Sequence, residues 1–240
     1  MTDELRSEIE HWDFLKNWDG FVSWRSEKHE HIFMASDASL FKFGAIILSG
    51  DKKGLAFGDF WDENDTRPIH LKEAEAVIKA LQSVADHIGN HRVDLFTDNM
   101  SVIHAWENQG GKDPHLNRLM KTLFILTVDL NIKLNLFHVP SSLNEADTPS
   151  RSLHITDSML SDFAWSYVQQ LFGPHSVDLM SLDSNCMKDE FGLCLKHYTP
   201  YPTPKSAGVN VFAQDLSKEK NAYVFPPFQL IFPLLSCLEG

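Results

Sequence analysis

Leu71, Ala74, Val77, Ile78, Leu81, Val84 and Ile88 recur at three- and four-residue spacing, with no proline or glycine between them. That period predicts an amphipathic helix over 71–88 with one buried face. The sequence before it has another period. HIFMASDAS (31–39), Phe43 to Ser49 and Leu55 to Trp61 are short apolar runs, and SGDKKG (49–54) sets a tight turn between the last two. Three strands joined by short turns predict an antiparallel meander. HRVDLFT (91–97) then reads as a fourth strand, Ser101 to Trp106 as a helix broken at Gly110 and Gly111, and Pro114 to Leu130 as another helix. The alternating IKLNLFHV (132–139) reads as a fifth strand, with a helical start at Asn144. The order places the chain in the α/β class, with a five-stranded mixed sheet flanked by helices.

Composition shifts after residue 152. Seven of the eleven prolines lie at or beyond 174, in YTPYPTP and FPPF. The predicted organisation is a helical segment over 1–28, an α/β domain over 29–152 and an irregular appendage over 153–240, entered by a helix at 156–172. The 240 residues, 43% hydrophobic and 22% charged, exclude a mainly disordered, collagenous or coiled-coil chain. Cys186, Cys194 and Cys237 have neither an even count nor metal-ligand spacing. This favours a reducing, intracellular location, cytoplasm or nucleus. The start MTDELRSEIEHWDFL has no apolar leader core. Asn221 to Leu238 is uncharged over 18 residues. Three prolines break it, so it is expected to be buried tail structure and not a membrane anchor.

The formal net charge is −12, with 16 basic against 24 acidic residues in 1–152 and 5 against 9 beyond. Tight sequence-independent binding of nucleic acid needs a Lys/Arg surface. A protein of this balance that acts on nucleic acid must hold it through metal ions, local contacts or a partner.

Four acidic residues sit at the ends of predicted elements: Asp37 in the first strand, Glu73 early in the long helix, Asp98 after the fourth strand and Asp147 at the start of a late helix. A lone ionised carboxylate at a buried strand end is expensive. It suits a hard cation, because Mg²⁺ prefers oxygen ligands and two such ions can clamp a phosphodiester. Acids in these places also serve as turn formers and helix caps.

The local motifs add to this. SDAS, E-x-x-A-V-x-x-A-L, TDN and H-x-P-x-x-x-N-x-A-D-x-x-S-R resemble, in order, the motifs of the ribonuclease H domain of reverse transcriptases, at intervals of 36, 25 and 49 residues. EIEHWDFLKNWDGF, ENQGGKDPHLNRL and HVPSSLNEADTPSR are similar to the corresponding region of DIRS-like retrotransposons, with gypsy-type elements more distant. The resemblance covers about residues 5–152. It implies a ribonuclease H-like fold and a two-metal phosphodiesterase, an endonuclease hydrolysing the RNA strand of RNA–DNA hybrids. Two Mg²⁺ ions are implied, with Mn²⁺ as an alternative. Asp37, Glu73, Asp98 and Asp147 fall on the family's metal-binding carboxylates. Glu75 competes with Glu73, but the E-x-x-A spacing favours Glu73, and Glu75 points about 200° away around the helix. His138 falls on a loop histidine that shuttles a proton or aids product release; read alone, it is a strand-end histidine. Ser39, Asn99 and Arg151 lie beside the ligands, where they could touch the hybrid. Ser and Asn also cap turns, and Arg151 also suits a solvated helix face. The interval from Asn144 to Asp147 is one residue shorter than the family's usual one.

Asn108 to Pro114 is short where some ribonucleases H carry a basic substrate-gripping handle. The resemblance therefore implies a neighbouring reverse transcriptase polymerase domain as partner. The first 28 residues look like the polymerase-to-nuclease connection, and no polymerase motif is present. SVDLMSLDSN, VFAQD and NAYVFPPFQLI resemble a segment of DIRS-like polyproteins akin to part of an adenine DNA methyltransferase. Phe225 stands where that motif needs an amide or carboxylate, so methyl transfer is not expected. The competing reading is a catalytically weak retroelement relic that serves as a nucleic-acid-binding or structural module.

Overall fold

The computed structural model describes residues 2, 5–6, 9–10, 12–16, 30–152 and 158–239. Trp12–Lys16 forms a single 3₁₀ turn; the rest of the helical segment expected over 1–28 lies largely outside the described residues.

The expected meander forms from β1 (His31–Ala38), β2 (Lys42–Ile47) and β3 (Ala56–Phe60). β4 (Arg92–Thr97) and β5 (Lys133–His138) complete one five-stranded sheet in the order β3-β2-β1-β4-β5. β1 pairs antiparallel with β2 and parallel with β4, and β5 is parallel to β4, so the sheet is mixed. The helices are α1 (Ile69–Ser83), α2 (Ala85–Ile88), α3 (Met100–Glu107), α4 (Pro114–Asp129) and α5 (Asp147–Arg151). The fold is thus α/β, with a five-stranded mixed sheet flanked by helices.

The helix read over 71–88 is two helices. Val84 leaves helical geometry at φ −120° and ψ 24°. Just before it, the Ser83 hydroxyl donates to the Lys79 carbonyl at 2.8 Å, a local bond that competes with the backbone ladder. The apolar stripe still reaches the core as read. Leu71, Val77, Leu81 and Ile88 pack with Met34 and Ile47 from the meander, Leu95 from β4 and Leu123 from α4. Truncating a fully buried residue such as Leu81 to Ala is worth about 2–5 kcal/mol.

Two buried lysines tie loops to this frame. Lys72 Nζ donates to the carbonyls of Leu40 and Asp65, both at 2.9 Å, and so anchors the β1–β2 turn and the approach to α1. Lys42 Nζ donates to the Ser152 carbonyl at 3.0 Å and holds the end of α5.

Beyond residue 158 come α6 (Asp162–Phe172) and, near the end, α7 (Ile231–Glu239). Between them the stretch expected as irregular holds a second, all-parallel sheet in the order β8-β7-β6-β9. Its strands are β6 (Val177–Asp178), β7 (Lys196–Thr199), β8 (Gly208–Val209) and β9 (Ala222–Tyr223). Val177, Leu179, Tyr198, Val211 and Leu234 form its core. Trp165 of α6 packs with Met187 and Leu195 and donates from Nε1 to the Lys188 carbonyl at 2.7 Å. The two sheets meet where Asp59 of β3 accepts from the Ser184 amide at 3.0 Å and its hydroxyl at 2.5 Å. Among the described residues no helix is long and apolar enough to cross a membrane.

Candidate metal centre

Asp37 lies on the central strand β1, where its cross-strand partner on β2 is Gly44. Glu73 projects from the second turn of α1, and Asp98 follows the last residue of the parallel strand β4. The sheet order sets β1 and β4 side by side, and α1 crosses the face of β1. One carboxylate oxygen from each of Asp37, Glu73 and Asp98 therefore falls within 4.8 Å of the others. Asp37 and Glu73 are only 3% and 5% exposed.

Three carboxylates this close, two of them buried, repel one another and lack water. Burial raises the Asp37 pKa above its usual value; a hydrogen bond from Ser150 opposes this, and the charges of Asp98 and Asp147 add to it. Glu73 is pushed up to about 9, by burial first and then by the charges of Asp37 and Asp98. Its Oε2 atom is buried with no hydrogen-bond partner. A buried acceptor without a donor, next to two further carboxylates, is a donor set suited to a hard divalent cation. Glu75 instead faces Arg67, with which it forms an ion pair, and takes no part.

The structure does not bring Asp147 into this cluster. Asp147 opens α5 with its side chain 38% exposed, and its Oδ1 pairs with Arg151 Nε at 2.7 Å, one turn along. Its charge still raises the Asp37 pKa, so it stands at the rim. Arg151 is two-thirds exposed there, and its charge lowers the pKa of both Asp37 and Glu73.

The other residues singled out in the sequence have structural duties. Asn99 is the N-cap of α3, accepting from the Ser101 and Val102 amides at 3.0 and 3.3 Å. The Ser39 hydroxyl donates to the Ser150 carbonyl at 2.8 Å and accepts from the Lys42 amide at 3.1 Å, so it closes the β1–β2 turn. His138 is the last residue of β5, exposed and paired with Thr97, and so sits at a strand end and not in a loop.

Residues 141–150 hold the carboxylates in place, a task the sequence reading did not assign. The Ser141 hydroxyl donates to Asp98 Oδ2. Asn144 Nδ2 donates to the Ser36 carbonyl at 3.1 Å and reaches Asp37 Oδ1 at 3.5 Å. The Ser150 hydroxyl donates to Asp37 Oδ2 at 2.5 Å. Asn144 and Ser150 stood within the last motif, three residues on either side of Asp147, but nothing in their spacing shows which carboxylate they serve.

No family model and no curated protein matches the chain. Several solved structures are similar over part of it. Ribonuclease H1 from the halophilic archaeon Halobacterium salinarum NRC-1 is 22% identical, with a TM-score of 0.42, over 49% of this chain and 91% of that one. LC11-RNase H1 in complex with an RNA/DNA hybrid is 18% identical, with a TM-score of 0.40, over 49% of this chain and 90% of that one. The protease-reverse transcriptase of Prototype Foamy Virus is 12% identical, with a TM-score of 0.35, over 61% of this chain and 20% of that one.

Proposed function

We propose that this chain is a metal-dependent endonuclease that hydrolyses the RNA strand of RNA–DNA hybrids. We also propose that it derives from a DIRS-like retroelement, with the nuclease unit at 29–152 and a non-catalytic appendage at 153–240. The observation that carries the nuclease reading is the convergence of Asp37, Glu73 and Asp98, from two strands and a helix, within 4.8 Å. Asp37, Glu73 and Asp98 would hold the divalent cations, Mg²⁺ or Mn²⁺, with Asp147 joining from the rim. Bound there, two such ions supply stabilisation of the charge that develops as a phosphodiester is attacked.

The chain's own residues have these tasks. Glu73 must give up its proton before it can act as a ligand, and the positive charge of Arg151 favours that. Arg151, exposed at the rim, can exchange Asp147 for a backbone phosphate of the hybrid. Ser39 and Asn99 border the site, and the Asn99 Nδ2 amide can donate to the sugar edge, where the 2′-hydroxyl distinguishes RNA from DNA. His138, exposed at the end of β5 beside the end of β4, just before Asp98, is available to carry a proton. With a net charge of −12, the protein grips its substrate weakly, and a reverse transcriptase polymerase domain is the proposed partner.

The second reading, a relic that binds without cleaving, rests on a specific observation: Asp147 is engaged by Arg151, and Ser39 and Asn99 are engaged by the backbone. Labelled RNA–DNA hybrid incubated with purified protein in Mg²⁺ or Mn²⁺ separates the two, with Asp37→Asn and Asp98→Asn in parallel. Cleavage of the RNA strand that both substitutions abolish is the expected result. Well-folded protein that leaves the hybrid intact in Mn²⁺ at low salt would establish the relic.

A further inference from the structure

The hydroxyl of Ser150 has an unusual route to its partner. Ser150 is fully buried on α5, a helix of only five residues. It lies 113 residues along the chain from Asp37, yet its Oγ donates to Asp37 Oδ2 at 2.5 Å. The approach depends on Gly44. A Cβ at that position would lie 2.2 Å from the Ser150 amide nitrogen and 2.6 Å from the Pro149 carbonyl carbon. Glycine at this point of β2 opens a slot in the sheet surface, and the backbone of α5 descends into it directly beside Asp37, the cross-strand partner of Gly44. Two further bonds fix the descent: Ser39 Oγ to the Ser150 carbonyl at 2.8 Å, and Lys42 Nζ to the Ser152 carbonyl at 3.0 Å.

The two oxygens of Asp37 are thus treated differently. Oδ2 takes a short, charge-assisted hydrogen bond, while Oδ1 has only the long 3.5 Å approach of Asn144. A carboxylate on a strand has a broad χ2 torsion and can present either oxygen, or both, to a ligand. Tethering one oxygen fixes the plane of the group and leaves the other for the cluster with Glu73 and Asp98. The Asp147 carbonyl, three residues back, lies 2.9 Å from the Ser150 Oγ and is the alternative acceptor for its one proton.

We propose that Ser150 is a positioning residue for the carboxylate cluster: its hydroxyl locks Asp37 into the orientation that binds the divalent cation, and Gly44 provides the space for it. This rests on the metal reading above. It adds a role that requires a donor at position 150 and no side chain at position 44.

The test is Mn²⁺ binding by the full chain, followed by electron paramagnetic resonance of free Mn²⁺ and by calorimetry, without substrate. Ser150→Ala is expected to raise the Mn²⁺ dissociation constant about tenfold, the scale of a lost partner behind a metal ligand. Ser150→Thr, which keeps the hydroxyl, is expected to restore most of it. Melting curves accompany each variant. Should Ser150→Ala fail to fold, Ser150→Cys fills the space with a poor donor and is expected to show the same loss. Folded variants without the hydroxyl that bind Mn²⁺ as the wild type does would overturn the positioning role and leave the metal site standing. Wild-type protein that binds no Mn²⁺ at millimolar concentration would overturn both.

Discussion

Gly44 sits directly opposite Asp37 in the antiparallel β1–β2 ladder, and it is the point at which the backbone of α5 touches the sheet. The absence of a side chain on one strand thus governs the surroundings of a carboxylate on the next. Gly44→Ala should therefore do more than an ordinary strand substitution, because the methyl group would meet backbone and not a flexible side chain. We expect a loss of about 2–4 kcal/mol from overpacking, together with loss of Mn²⁺ binding, read by urea melts and metal titration on the same sample. A variant that keeps both would show that α5 is free to lift away.

Glu73 makes the stability of the metal-free protein depend on pH. Its folded pKa stands near 9 against an ordinary 4.5, so between those values the folded state holds a proton that the unfolded state has released. Stability contributed at this group therefore falls as pH rises from about 5 to 9. Protein in chelator should melt lower at pH 9 than at pH 6. Glu73→Gln should flatten that slope and stabilise the metal-free protein by about 1–3 kcal/mol at pH 8, since it removes the need to take up a proton on folding. The same substitution should abolish hybrid cleavage. A slope unchanged by Glu73→Gln would assign the pH dependence elsewhere.

The second sheet carries a separate titrating pair. His197 is buried and bridges Asp183 Oδ1 at 2.8 Å and the Leu195 carbonyl at 3.0 Å. Burial pulls the imidazole pKa down, but the bonds to Asp183 and Leu195 more than reverse this, and it stands above 6.5. Burial likewise raises Asp183, but bonds from His197, Thr203 and the Lys205 amide bring it below 3.8. The histidine contribution is complete below 6.5 and is lost as pH rises through the raised value. The aspartate contribution is complete above 3.8 and is lost as pH falls through the lowered value. The second sheet should be firmest between about pH 4 and 6.5, with the protection of the β7 amides, taken relative to unstructured chain at the same pH, falling as pH rises above that range. His197→Gln should remove the alkaline dependence.

Asp59 ties the edge strand β3 to Ser184 of the C-terminal segment. Its two bonds from Ser184 hold the C-terminal segment on the edge strand β3, and burial lifts its pKa above the usual carboxylate value against those bonds. Asp59→Ala leaves the Ser184 amide without its acceptor, at a cost of about 1–3 kcal/mol. Limited proteolysis should then cut within 183–205 at a rate severalfold above wild type, while Mn²⁺ binding at the carboxylate cluster is unchanged. Loss of both together would show that the appendage supports the site.

The sequence was readable where one period or one spacing dominates. The five strands and the stripe from Leu71 to Ile88 follow from alternation and from three- and four-residue spacing, because both report burial directly. The choice of Glu73 over Glu75 rested on the E-x-x-A spacing of the family the motifs resemble, and in the structure Glu75 pairs with Arg67. The break at Val84 was hidden because the apolar stripe runs through it unbroken. The strands of the second sheet were hidden because three of the four are two residues long, too short for any period. Ser150 and Gly44 were legible as letters but not as a pair, since their relation exists only across the sheet. Asp147 is the reverse case: its motif was plain, yet its side chain pairs with Arg151 and lies outside the cluster of the other three carboxylates.

The 113 residues between Ser150 and Asp37 also set an order of events during synthesis. β1, α1 and β4 can assemble once about the first hundred residues have emerged, and with them the three crowded acids. The donor that steadies Asp37 arrives some fifty residues later, at the elongation rates of ribosomes several seconds afterwards. Until then the acids stand together without it. A nascent chain would thus carry a repulsive, unsteadied cluster for a finite time, and a truncation anywhere between residues 100 and 150 would make that interval permanent.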